Sequence, residues 1–125
     1  MRSLRDKICI ITGGARGLGK HLAGRLADEG CNITICDLDQ NGVNETKKEI
    51  EAKTDRKVVA VKADITSEKD IKNMVAVAIS KFSRIDFLVA NAGLSISGSI
   101  HNFDLKLWEK IINVNLFGYF LCVRE

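Results

Sequence analysis

Four short apolar runs separated by longer amphipathic stretches restrict the folds open to this 125-residue chain more tightly than anything else in it. The runs, at residues 7–12, 32–37, 57–62 and 87–90, are rich in β-branched side chains and nearly continuous in apolar character. That is the pattern of parallel strands covered on both faces. Between the runs the period becomes helical. Leu18, Leu22 and Leu26 fall four apart beside Ala23 and Ala27, with Lys20, Arg25 and Asp28 facing away. Ile71, Met74, Val75, Ala78, Ile79 and Phe82 make the clearest helical stripe. Ser67 and Asp70 form a capping-box variant at its start. A weaker helix, over residues 40–53, rests mainly on Val43 and Ile50. Strands alternating with helices imply right-handed crossovers. The expected fold is therefore α/β, an open doubly wound parallel sheet in the order β-α-β-α-β-α-β-α. No internal repeat or linker interrupts residues 1–125, which are read as one domain.

The stretch 111–123 differs from the rest. Ten of its thirteen residues are apolar and none is charged. Thirteen residues are too few to cross a bilayer as a helix. A helix apolar nearly all round is instead expected to be buried on more than one side. One face can cover the sheet, and the other requires a further segment or a partner subunit.

Thr12-Gly13-Gly14-Ala15-Arg16-Gly17-Leu18-Gly19 joins the first strand to the first helix. Glycines there permit a tight turn, a close approach of backbone to a pyrophosphate, and close helix–strand packing. The helix N-terminus adds unpaired N–H groups and the positive end of its dipole. This is the arrangement of a Rossmann-type dinucleotide site, and it makes Gly13, Arg16, Gly17, Leu18 and Gly19 candidate cofactor-binding residues. Asp37 ends the second strand, twenty positions after Gly17, where such folds place the acid that binds the adenosine ribose. Leu38 follows it and joins the candidate set. A carboxylate there accepts hydrogen bonds from both ribose hydroxyls and repels the 2′-phosphate of NADP. NAD is the expected cofactor, with NADP less favoured. Arg16 argues the other way, because a basic loop residue can reach that phosphate. Each residue also has a plainer reading, Asp37 as a loop cap and Arg16 as an exposed loop charge.

Composition points to no other class. A net charge of +3 on a mixed-sign surface does not argue for nucleic acid or an anionic membrane, and neither is expected as a partner. The four cysteines form no C-x-x-C pair and have no histidine cluster beside them. They are expected to be reduced thiols in a reducing compartment, without disulfide or metal site. The first apolar run is too short for a secretory signal or a membrane span, so the expected location is cytoplasmic. His21 is placed on an exposed helix face and His101 on a loop. Ser95, Ser97 and Ser99 read as a flexible loop, and Phe103 and Trp108 as packing residues.

The pattern Thr-Gly-x-x-x-Gly-x-Gly resembles the glycine loop of the classical short-chain dehydrogenases/reductases, and three further markers follow in order. Asp64, before Ile65, matches the acid this family uses near the adenine ring. Asn91-Ala92-Gly93 matches its Asn-Asn-Ala-Gly motif, with Ala90 in place of the first asparagine. Asn115 matches the helix asparagine of the catalytic tetrad, whose main chain holds a water linking the catalytic lysine to solvent. The resemblance thus makes Asp64, Ile65, Asn91, Ala92 and Gly93 cofactor-binding candidates and Asn115 the catalytic one. Without the resemblance, Asp64 reads as a loop residue before the Ser67 helix and Asn115 as a satisfied core amide. Residues 115–125 also resemble the corresponding helix of sorbitol-6-phosphate 2-dehydrogenases, which points to a polyol or sugar-alcohol substrate.

The resemblance further implies a serine and a Tyr-x-x-x-Lys pair for proton transfer. Tyr119 is the only tyrosine, and Val123 stands four residues on. The chain is therefore expected to be the N-terminal, cofactor-binding part of an NAD-dependent oxidoreductase, inactive alone, acting when complete on a small alcohol or ketone. The complete protein is expected to be a homo-oligomer. The alternative is a non-catalytic dinucleotide-binding or sensing module.

Overall fold

A computed structural model of the chain describes residues 4–125. Its elements follow as β1 (Ile8–Thr12), α1 (Gly17–Asp28), β2 (Asn32–Asp37), α2 (Gln40–Lys53), β3 (Val58–Lys62), α3 (Glu68–Phe82) and β4 (Phe87–Val89). A 3₁₀ turn (Ile100–Asn102), α4 (Leu105–Ile112), a π-helical segment (Asn113–Gly118) and α5 (Tyr119–Arg124) complete the chain. All four strands pair in parallel, in the order β3-β2-β1-β4. Cys9 lies between Ile33 on one side and Phe87 on the other. The chain leaves β1 in one direction and returns to its other side through β4. This reversal opens a crevice at the carboxyl ends of β1 and β4, where ligands of open α/β sheets bind. The fold expectation holds, and each strand agrees with its sequence pattern to within one residue at either end.

Alternation along the strands divides the core in two. Cys9, Ile11, Ile33, Ile35 and Val58 pack under Ala23 and Ala27 of α1 and Val43 and Ile50 of α2. Ile10, Cys36 and Val61 pack under Ile71, Met74 and Ala78 of α3 and Leu121 and Cys122 of α5. The cysteines are unpaired thiols, and burial pushes those of Cys9 and Cys36 up to about 12. Thr34 shares the second face, and its fully buried hydroxyl has no hydrogen-bond partner.

Two local readings need correction. The inner stripe of α1 is Gly19, Ala23 and Ala27, while Leu18 is 66% exposed. The helix lies too close to β1 for larger groups, since a Cβ at Gly19 would stand 2.0 Å from the Gly13 carbonyl oxygen. The apolar tail is likewise not one regular helix. A π-helical segment, with its wider turn, separates α4 from α5. Gly118, Leu121 and Cys122 are buried, whereas Leu116, Phe117, Tyr119, Phe120 and Val123 face outward. One face of the tail thus covers the sheet and the other remains exposed. Among the described residues, no helix is long and apolar enough to cross a membrane.

Capping explains several boundaries. Asp39, Ser67 and Asp104 accept hydrogen bonds from the N–H groups of Gly42, Asp70 and Leu107 at the starts of α2, α3 and α4. Only half of the expected capping box forms at α3. The Asp70 carboxylate accepts the Asp64 N–H at 2.9 Å instead of turning back to Ser67.

Candidate functional site

The glycine loop meets three different demands. Gly13 has φ 72° and stands so close to β4 that an added Cβ would lie 2.9 Å from the Ala92 Cα. Gly19 is required by its contact with Gly13. Gly17 has φ 56°, and its Cβ direction meets nothing within 4 Å. Open space therefore lies outside the loop at the start of α1. Arg16 occupies the N-cap position, and no side chain caps the helix there, unlike α2, α3 and α4. The first-turn N–H groups remain available to an anion.

Asp37 lies beside this opening. Its Oδ2 accepts the Ala15 N–H at 3.2 Å, and its Oδ1 accepts the Asp39 N–H at 3.2 Å. The carboxylate therefore fixes the glycine loop against the end of β2. Each oxygen keeps acceptor capacity for a further donor, so anchoring and ribose binding are compatible. Leu38 is 62% exposed next to it. The loop is held from below by Gly14 N–H donating to the Cys36 carbonyl at 3.0 Å. The Thr46 hydroxyl donates to the Ala15 carbonyl at 3.3 Å.

Asp64 builds the turn after β3. Its Oδ1 accepts the Thr66 N–H and hydroxyl at 2.8 and 2.7 Å. Ile65 is buried beneath Gly118, where an added Cβ would lie 2.8 Å from the Ile65 Cδ1. The missing Cβ brings the π segment down onto this turn.

The crevice itself is closed by reciprocal bonds between β1 and β4. Thr12 Oγ1 accepts the N–H groups of Asn91 and Ala92 at 3.1 and 3.0 Å. The Asn91 side chain donates to the carbonyls of Thr12 and Gly13 at 3.0 and 3.3 Å. Asn115 makes a matching pair with Leu94, accepting its N–H at 2.8 Å and donating to its carbonyl at 2.8 Å. A cleft of roughly 420 Å³ lies between these braces, bordered by Thr12, Ile65, Asn91, Gly93, Asn115 and Tyr119.

The structure brings the glycine loop, Asp37 and Leu38 to one corner, and Asn91, Ala92, Gly93 and Asn115 to the cleft. Sequence reasoning missed Thr12 and Leu94. A threonine ending an apolar strand reads as one more β-branched core residue, and its acceptor role exists only once β4 is in place. Leu94 acts through its backbone, which leaves no compositional signal. Among the described residues, no three His, Cys, Asp or Glu side chains are grouped to hold a metal.

Residues 7–125 match the family model described as short chain dehydrogenase. The chain is 38% identical over 125 residues to a CLA biosynthesis dehydrogenase/reductase of Lactiplantibacillus plantarum, covering all of this chain and 43% of that protein. It is 39% identical over 121 residues to the (2S)-[(R)-hydroxy(phenyl)methyl]succinyl-CoA dehydrogenase subunit BbsD of Thauera aromatica, covering 97% of this chain and 48% of that one. Among solved structures, a 3-ketoacyl-(acyl-carrier-protein) reductase from Brucella melitensis complexed with NADH superposes with a TM-score of 0.90 at 35% identity. That match covers 98% of this chain and 49% of the reductase. The chain spans about half the length of each of these relatives.

Proposed function

The chain belongs to the short-chain dehydrogenase family, and from that premise we propose that it is the NAD(H)-binding part of an oxidoreductase acting on an alcohol or ketone. The observation that carries this reading is the uncapped start of α1 facing open space at Gly17, with Asp37 fixed beside it. A pyrophosphate needs N–H donors without a competing carboxylate, and α1 has no acidic residue in its first turn. Nicotinamide, when bound, supplies or accepts a hydride.

Gly13, Arg16, Gly17, Leu18 and Gly19 would hold the phosphates. Asp37 would accept the ribose hydroxyls, with Leu38, Asp64 and Ile65 around the adenine. Asn91, Ala92 and Gly93 would border the nicotinamide half. Asn115 has two tasks in this reading. Its side chain braces the backbone at Leu94, and its main chain, inside the π segment, would carry the water of the proton relay. The serine and Tyr-x-x-x-Lys pair of that relay are not among these 125 residues. Residues 1–125 alone are accordingly expected to oxidise no alcohol. The exposed apolar side of α5 supports a homo-oligomer, and the buried, reduced thiols suit a cytoplasmic location.

Residues 115–125 favour a polyol substrate. Two relatives are named instead for acyl-CoA or acyl-carrier-protein substrates, and they resemble the whole chain rather than one helix. A hydroxyacyl thioester is therefore the second reading. Calorimetric titration of the full-length protein with NAD⁺, followed by NADH absorbance assays with sugar alcohols and hydroxyacyl thioesters, tests both. NAD⁺ binding without turnover on either class would favour a non-catalytic module. Absence of NAD⁺ binding would overturn the reading.

A further inference from the structure

We propose that Lys62 is a specificity-determining residue of the adenosine corner, a cation beside Asp37 that lets the site also accept the 2′-phosphate of NADP(H). The inference rests on the dinucleotide reading above and deepens it.

Lys62 ends β3 directly opposite Asp37, its register partner at the end of β2. Adjacent strands lie about 4.8 Å apart. Alternation places both residues on the sheet face of Ile35 and Ala60, which is also the face of Ala15 and the glycine loop. Lys62 is exposed and makes no ion pair among the described residues. Among the described residues, Lys7, Lys20, Lys47 and Lys72 do form ion pairs. The cross-strand carboxylate of Asp37 accepts from the Ala15 and Asp39 N–H groups and makes no ion pair with Lys62. The next acid, Asp39, is engaged at the start of α2 by the Gly42 N–H.

Two exposed cations thus flank the fixed Asp37 in the fold, Arg16 next to Ala15 in the glycine loop and Lys62 across the strand pair. With NAD(H) both adenosine ribose hydroxyls would meet Asp37, whereas with NADP(H) only the 3′-hydroxyl is left to do so. A 2′-phosphate meets two positive charges beside the carboxylates of Asp37 and Asp39, the second turned to the Gly42 N–H, and the flexible lysine stem can follow it. Asp37 then sets the preference for NAD(H), and Lys62 sets how far NADP(H) falls behind it.

The test is titration of NAD⁺ and NADP⁺ into the full-length protein, followed by calorimetry at low and high salt. The variants are Lys62→Gln, Lys62→Glu and Arg16→Gln. A unit-charge pair at about 4 Å in water contributes about 1 kcal/mol, so Lys62→Gln is expected to weaken NADP⁺ about fivefold. NAD⁺ binding should stay within about twofold, and Lys62→Glu should lower NADP⁺ affinity further. Added salt should shrink the difference, since the groups are exposed. Equal weakening of both cofactors would mean that Lys62 is structural and would overturn the proposal. So would an unchanged ratio, or sensitivity of NADP⁺ to Arg16 alone. Failure of the unmodified protein to bind NAD⁺ would overturn the dinucleotide reading itself, whereas NAD⁺ binding with no detectable NADP⁺ binding would overturn only the role of Lys62.

Discussion

Replacing Thr12 by valine removes one oxygen from the crevice and leaves the side-chain shape almost unchanged. That oxygen accepts two backbone N–H groups, those of Asn91 and Ala92, in a residue only 1% exposed. Valine would leave the Ala92 N–H facing a methyl group, while the Asn91 N–H keeps the Val89 carbonyl at 3.0 Å. An unsatisfied buried donor costs about 1–3 kcal/mol, and one donor is orphaned, so the expected destabilisation is about 1–3 kcal/mol. Thr12→Ser keeps the acceptor and loses one methyl, worth about 0.8 kcal/mol. The two variants should therefore rank opposite to their hydrophobicity, serine above valine. Urea unfolding of the full-length protein gives the order directly, and NAD⁺ titration of the folded variants reports whether the crevice keeps its shape. A valine variant as stable as the serine one, or more so, would show that Thr12 acts as a packing residue and that the β1–β4 junction is held elsewhere.

Gly17→Val combines a φ of 56° with a side chain aimed into the open space. It should cost roughly 1–2 kcal/mol in strain and abolish most NAD⁺ affinity, and a folded variant with full affinity in titration would place the phosphates elsewhere. Thr34→Val should raise stability by about 1 kcal/mol, because it replaces a buried hydroxyl that has no partner; a lower urea midpoint would reveal a hidden role for that hydroxyl. Asp86 is held below the usual carboxylate range by the Arg84 guanidinium first, then by the Ile8 N–H and the Lys7 ammonium. A depressed folded-state value means that its contribution is complete above the ordinary carboxylate range and fades as the pH falls below it. Asp86→Asn should therefore be less stable than the parent near neutrality and converge with it in acid, as followed by urea midpoints across pH.

The strands were legible because each is short, β-branched and bounded by polar residues, and α2 is indeed anchored by Val43 and Ile50. The glycine loop and Asp37 were legible because their spacing is imposed by local geometry. What escaped depends on approach distances that no spacing encodes. Leu18 fits a helical stripe perfectly well, yet Gly19 must face the sheet because the Gly13 carbonyl lies there. The π segment was equally hidden, since its residues read as one apolar helix. Asn115 stood out as a polar residue in that run, but its partner, the backbone of Leu94, could not be named from composition.

The two halves of the crevice enter the world at different times. Thr12 and Asn91 are 79 positions apart, and ribosomes add about 5–20 residues each second, so roughly 4–16 s separate their synthesis. During that interval the nascent chain can pair β1 with β2 and β2 with β3. The flank of β1 reserved for β4 meanwhile remains an open apolar edge, prone to mispairing. The glycine loop thus stays half-supported until the ninety-first residue has cleared the exit tunnel, and slow codons between the two positions would prolong that exposure.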